Sequence, residues 1–205
     1  MATDYKLMMQ NLTQFYDFTG KETLAVGAGG GQFVELARRT KKLIAIDKGL
    51  IAIRQLETRV AAEGLQNQVD IVTADFCETS LHGDVVYFEF SLHEMDIPEI
   101  ALRHALTLAP EVLVFDHLPG STWAFHTLDE NKVRRSSDAL AQFHCLRHQA
   151  FRTEQHFQDY AQLLEKISCH GELAMQRTRR FMGSSKIIIP MTYGLTLVAG
   201  FPPSA

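Results

Sequence analysis

A chain of 205 residues with 46% hydrophobic content can bury one sizeable core; it is long for a minimal domain and short for two. The formal charge of -4 provides no broad basic field of the kind that holds phosphates, so nucleic acid is not expected as a partner. Cys77, Cys145 and Cys169 are odd in number and lack a C-x-x-C spacing, which argues against a disulfide framework or a zinc ribbon.

The first segment, 1–22, reads as an N-terminal helix without the basic-then-apolar pattern of a signal peptide. No later segment approaches the roughly 18 apolar residues of a membrane span, so a cytoplasmic protein with no membrane partner is expected. TLAVG is a strand running into AVGAGGGQ, and QFVELARRT is a helix with Phe33, Leu36, Ala37 and Thr40 on one face. KLIAID is apolar on both faces, as a covered parallel strand would be. A helix over Leu50 to Glu63 stops at Gly64. VDIVTAD, DVVYFEF and EVLVFD follow as strands, with a helix at IPEIALRHALTLA. The alternation predicts an α/β fold, a Rossmann-like doubly wound sheet of about seven strands in one domain, with the cofactor-binding core in residues 23–120.

From Ser121 to His170 the alternation stops. Two helices are expected, around Asp129 to Gln149 and Thr153 to Ser168, forming a helical lid inserted before the last strands. Residues 171–205 return to β character: ELAMQRTRRF, a turn at Gly183-Ser184-Ser185, and TYGLTLVAGF, read as a closing antiparallel hairpin. On such a strand Arg177 and Arg179 would share one face and Arg180 the other.

Four glycines in the five positions 27–31 let a ligand approach the backbone and the start of a helix. The dinucleotide fingerprint G-x-G-x-x-G/A fails at Gln32, which counts against NAD or FAD. Gly27-x-Gly29-x-Gly31 fits instead, and Asp47, at the end of the second strand, can accept from both hydroxyls of a ribose.

With LAVGAGGG, IAID, TADF and GDVVYFEFSLHEM in this order, the chain from Thr23 to Phe201 resembles the class I S-adenosylmethionine-dependent methyltransferases. The resemblance implies S-adenosyl-L-methionine as cofactor. Gly27, Ala28, Gly29 and Gly31 would accommodate its methionine part, and Asp47 its ribose. Asp75 and Phe76 would take the adenine, with Lys48 covering it by its stem. Glu89, Phe90 and Ser91 would line the methionine and the methyl. Ala25 stands where the family often has an acid, which leaves the cofactor's amine to a backbone carbonyl or to Glu89.

The expected activity is methyl transfer to a small-molecule acceptor, with a homodimer compatible. A non-catalytic S-adenosylmethionine-binding protein is the alternative from another class. A nicotinamide-dependent reductase is opposed by Gln32 and by the absence of a Tyr-x-x-x-Lys pair. If the acceptor arrives protonated, His117 is the expected base, titrating near neutrality and giving a pH limb at about 6 to 7.5. His93 is next in line, and Asp116 competes with His117 or orients the loop. His144 and His148, four apart on an expected helix around Cys145, lack a third ligand, so no metal is expected. Trp123, His126 and Tyr160 either wall the acceptor or pack the insertion onto the sheet.

Overall fold

The computed structural model of the protein describes residues 4–29 and 31–200; Gly30 of the glycine turn and Phe201 of the last expected strand lie outside them. After α1 (Tyr5–Phe15) come β1 (Glu22–Val26), β2 (Lys42–Asp47), α2 (Leu50–Ala62), β3 (Val69–Thr73), β4 (Val85–Glu89), α3 (Pro98–Leu108) and β5 (Glu111–His117). The second half holds α4 (Thr122–Thr127), α5 (Glu130–Leu140), β6 (Cys145–Asp159), α6 (Tyr160–Ile167), α7 (Glu172–Thr178) and β7 (Ser185–Ala199). The strands form one sheet in the order β3-β2-β1-β4-β5-β7-β6. β1 to β5 pair in parallel, β7 runs antiparallel to β5, and β6 antiparallel to β7.

Local chemistry sets several of these bounds. Asp4 caps α1 by accepting from the Leu7 N–H at 2.9 Å. Pro98 sits in the first turn of α3, where its missing N–H is not needed. α2 ends before Gly64, whose φ of +66° is the left-handed conformation that closes helices. The apolar runs of β1, β4 and β5 are buried on both faces. One face packs Leu12, Phe33, Leu56 and Phe115 beneath α1 and α2; the other packs Val86, Val112, Val114 and Leu102 beneath α3 and α5. Each fully buried side chain of this size contributes about 1.5–3 kcal/mol against the entropy of ordering.

The structure corrects the second half. The expected lid is only partly helical: α5 stops at Leu140, and residues 145–159 form a 15-residue strand. Its inward positions are Phe151, Thr153, Gln155 and Phe157, while Arg152, Glu154, His156 and Gln158 are exposed. That is a period of two, but two of the four inward residues are polar, which hides it from hydropathy. The segment therefore adds a strand to the sheet and is no detachable lid. ELAMQRTRRF is helical rather than extended, burying Ala174 and Thr178 four apart, so the closing hairpin is β6 with β7, with α6 and α7 between them. Arg177 accordingly reaches Glu130 at 2.6 Å, and Arg180 reaches His126 at 3.1 Å. His148 lies on β6, which removes the helical pairing of His144 with His148. The segment after the glycine turn is a 3-10 helix, Val34–Arg39, that still buries Phe33, Leu36 and Ala37. Trp123 stacks on Phe157 with centroids 5.9 Å apart, so it packs α4 onto β6.

Candidate active site

Strand order reverses between β1 and β4, and open α/β sheets bind ligands at the carboxyl ends beside such a reversal. A cleft of about 270 Å³ opens there, close to the lower end of the range of small-molecule sites. It unites Gly27, Asp47 and Lys48 with Asp75 and Phe76, and Phe90 and Ser91 close it from the end of β4. Glu94 and Met95 also line it and were not among the expected cofactor residues.

The glycines serve the protein before any ligand. Gly27 has a φ of +74°, and a Cβ there would overlap Ser91. Ser91 in turn donates its hydroxyl to the Val26 carbonyl at 2.6 Å, joining the ends of β1 and β4. A Cβ on Gly29 would overlap Asp47. Asp47 accepts the Gly29 N–H at 2.9 Å through Oδ2 and the Gly49 N–H at 2.7 Å through Oδ1, so it orders the turn as well as facing the cleft.

Asp75 accepts from the Cys77 N–H at 3.0 Å, and Lys48 donates to it at 3.3 Å; these bonds hold its carboxyl below the ordinary range. The Phe76 ring points into the core against Phe88, centroids 5.4 Å apart, which leaves only its backbone for a ligand. Phe90 takes a φ of 48°, a conformation costly for a bulky residue and characteristic of functional sites. Its ring lies 4.5 Å from that of Phe115 and 4.8 Å from that of His117.

Ala28, Gly31 and Glu89 are not in this cleft but line a small space between the glycine turn and the α2 side of the sheet. The Glu89 side chain is buried and has no hydrogen bond among the described residues. Burial, and next the charge of Asp47, push its carboxyl up to about 8.

The three expected catalytic residues meet at the ends of β4 and β5. Asp116 Oδ1 lies 2.5 Å from His93 Nδ1, Asp116 Oδ2 accepts the His93 N–H at 2.9 Å, and Oδ1 also accepts the His117 N–H at 2.8 Å. His93 Nε2 lies 3.2 Å from Glu94. Burial alone would lower the His93 pKa, but the Asp116 charge and the bonds to Asp116 and Glu94 raise it to about 10. His93 is thus an imidazolium with both nitrogens engaged, and has no lone pair with which to act as a base. Asp116 accepts from three N–H donors, which fix the position of its carboxylate.

The His117 ring packs against Phe90 and His93 and makes no hydrogen bond among the described residues. Burial, helped by the nearby His93 cation and opposed by Asp116, holds it down to about 4. Its Nδ1 is buried without a partner among the described residues. The neutral limb near 6 to 7.5 therefore does not belong to His117; the ring is already neutral there.

Ligand atoms of His93, Glu94 and Asp129 lie within 4.8 Å of one another, a spacing a metal could use. Lys132 occupies that place electrically: its ammonium is 2.8 Å from Glu94 and 3.0 Å from Asp129. Sequence reasoning missed Lys132, which lies 38 residues from Glu94 and carries no motif.

A doubly wound sheet with a glycine turn and acids at the ends of β2 and β3 defines a Rossmann-like fold. More narrowly, the chain has the fold of the solved S-adenosylmethionine-dependent methyltransferases. A protein of Bacillus halodurans C-125 named as a candidate methyltransferase superposes with a TM-score of 0.69 at 16% identity, covering 93% of this chain and 97% of that one. A SAM-dependent methyltransferase from Aquifex aeolicus gives 0.57 at 16% identity over 96% and 90%. A protein of Pyrococcus horikoshii named as a candidate RNA methyltransferase gives 0.57 at 14% identity over 95% and 82%. No family model and no curated protein sequence matches the chain.

Proposed function

We propose that the protein transfers a methyl group from S-adenosyl-L-methionine to a small-molecule acceptor. The observation that carries this is the convergence of the bare Gly27 backbone with the Asp47 and Asp75 carboxylates in one cleft at the strand reversal. The residues fit the cofactor. Each Asp47 oxygen accepts one backbone N–H and keeps a further lone pair for a ribose hydroxyl. Asp75 accepts from the adenine amine, the Phe76 backbone meets the ring edge, and the Lys48 stem covers its face. Gly27, Ala28, Gly29 and Gly31 form the turn beneath the methionine part, Phe90 and Ser91 border the methyl, and a backbone carbonyl of the turn receives the amine in place of the acid missing at Ala25, since Glu89 faces the separate space on the α2 side.

When bound, the cofactor supplies an electrophilic methyl on a sulfonium. The chain then has to align the acceptor and exclude water. His117 accepts a hydrogen bond from the acceptor through its neutral ring, while Asp116 and the His93 cation are positioning residues that hold this ring and the loop. A small acceptor is favoured over RNA by the net charge of -4 and by cleft walls with Lys48 as their single cation. A cytoplasmic setting belongs to the same reading; among the described residues no helix is long and apolar enough to cross a membrane.

Incubation with methyl-labelled cofactor and an acceptor panel tests catalysis, and calorimetry with S-adenosylhomocysteine tests binding. Binding without transfer to any acceptor would favour the non-catalytic alternative. A general base contributes typically 10²–10⁴-fold, and so weak a base belongs at the lower end: His117→Ala should lower kcat by about 10² with cofactor affinity held within about twofold. Because His117 is active when neutral and its pKa is about 4, its contribution should be constant from neutrality down to mild acid and fall as pH drops through about 4. An unchanged kcat in the variant would remove His117 from the reaction.

A further inference from the structure

A second cavity, of about 200 Å³, lies between α5 and the strands β5, β7 and β6, outside the cofactor cleft. Register explains its chemistry. Val114 pairs with Thr196, and Thr196 with His148, so these three side chains form a row across the sheet on the face that α5 covers. One step along β5 toward its carboxyl end on the same face, Val114 gives way to Asp116. An apolar face that continues as Val112 and Val86 beneath α3 thus turns polar at this one place.

The polar groups are of one kind. Thr196 Oγ1 and His148 Nδ1 are 2.8 Å apart, which leaves the other His148 nitrogen open. Ser137, half-buried on α5, has no side-chain hydrogen bond among the described residues. His117 is also part of the wall. Asp116 has its oxygens taken by three N–H donors, and no Lys or Arg lines the cavity. Val114, Leu118 and Leu140 supply apolar area. An anion would find no counter-charge here and a cation only a carboxylate already paired with His93, whereas a hydroxyl can both donate to imidazole and accept from serine.

We propose that this cavity is a second small-molecule site that takes an uncharged, ring-sized molecule bearing a hydroxyl group. Resting on the methyltransferase reading, its occupant is the methyl acceptor; as a binding site it stands without that reading.

Phenol is the probe, titrated into the cofactor-free protein and followed by amide shifts in two-dimensional NMR. Saturable shifts should appear around Ser137, Thr196 and His117, with a dissociation constant on the order of 1 mM, as the size of the probe allows. Ser137→Phe, which fills the cavity, should weaken phenol at least tenfold, and Ser137→Ala, which removes one hydroxyl without adding bulk, should weaken it severalfold. Benzoate should not saturate. The proposal is overturned if phenol shows no saturable shifts there, if its shifts centre on Gly27 and Asp47, if benzoate binds equally well, or if a Ser137→Phe protein that melts cooperatively binds phenol unchanged. Should Ser137→Phe fail to fold, unchanged affinity in Ser137→Ala overturns it. S-adenosylhomocysteine titrated separately reports on the cofactor cleft, so failure of either site is distinguishable from failure of the other.

Discussion

Replacement of Asp47 by alanine is expected to lower affinity for S-adenosylhomocysteine by about two decades. Hydrogen bonds to a charged group are worth about 1.5–3 kcal/mol each, and losing two to the ribose at the lower end of that range corresponds to roughly 10²-fold. The structure adds a second route to the same loss. Asp47 also accepts the N–H groups of Gly29 and Gly49, so its removal loosens the turn that the ligand must find ordered, and some binding energy is then spent on ordering it. Asp47→Asn keeps one acceptor oxygen and should fall between parent and alanine. Calorimetry with each variant, beside melting curves without ligand, separates lost contacts from lost fold. Affinity within threefold of the parent in Asp47→Ala would mean that the ribose is held elsewhere.

The other large effect is on stability. Asp116 and His93 are both about nineteen-twentieths buried at their side chains, and removing one partner of a buried ion pair typically costs about 3–5 kcal/mol. Against a typical total of roughly 5–15 kcal/mol, Asp116→Ala should be close to unfolding at ambient temperature, as read by urea denaturation. The pH dependence identifies the cause. The folded pKa of His93 is raised from 6.5 to about 10, so its contribution is fully present below about 6.5 and is lost as pH rises from there to about 10. His117 and His126 are depressed, by burial first, to about 4. Their contribution is present above about 6.5 and is lost as pH falls toward 4. The parent should therefore be most stable near pH 6.5. In Asp116→Ala the alkaline decline above about pH 8 should shrink sharply, the part below it staying with Glu89, whose carboxyl is raised to about 8, while the acid decline remains, because His126 contacts neither Asp116 nor His93. An undiminished decline above about pH 8 in the variant would show that His93 does not carry it.

The two substitutions probe different distances along the chain. Gly27, Asp47 and Asp75 were legible in the sequence because each sits at a strand end, and the strands announce themselves as short apolar runs. Their burial on both faces leaves little choice of period, and a parallel sheet then brings their carboxyl ends to one edge. The glycine turn was legible for a related reason, since side chains there would collide with Ser91 and Asp47.

What the tertiary structure alone decided begins at Ser121. β6 alternates Phe151 and Phe157 with the polar Thr153 and Gln155 on its inward side, and only pairing with β7 makes those positions interior. The helical character of Glu172 to Thr178 rests on burying Ala174 and Thr178, small residues that mark no face until a partner covers them. Within the site, the chain itself located His93, Asp116 and His117 but not their charges. His93 became a cation because Asp116, 23 residues away, came within 2.5 Å of it, and His117 stayed neutral because burial and that cation oppose its protonation. Local pattern thus determined which elements form and which acids face the cofactor cleft, since both follow from side-chain period and covalent reach. Long-range contact determined the last two strands and the protonation of each histidine, since strand pairing and desolvation have no local signature.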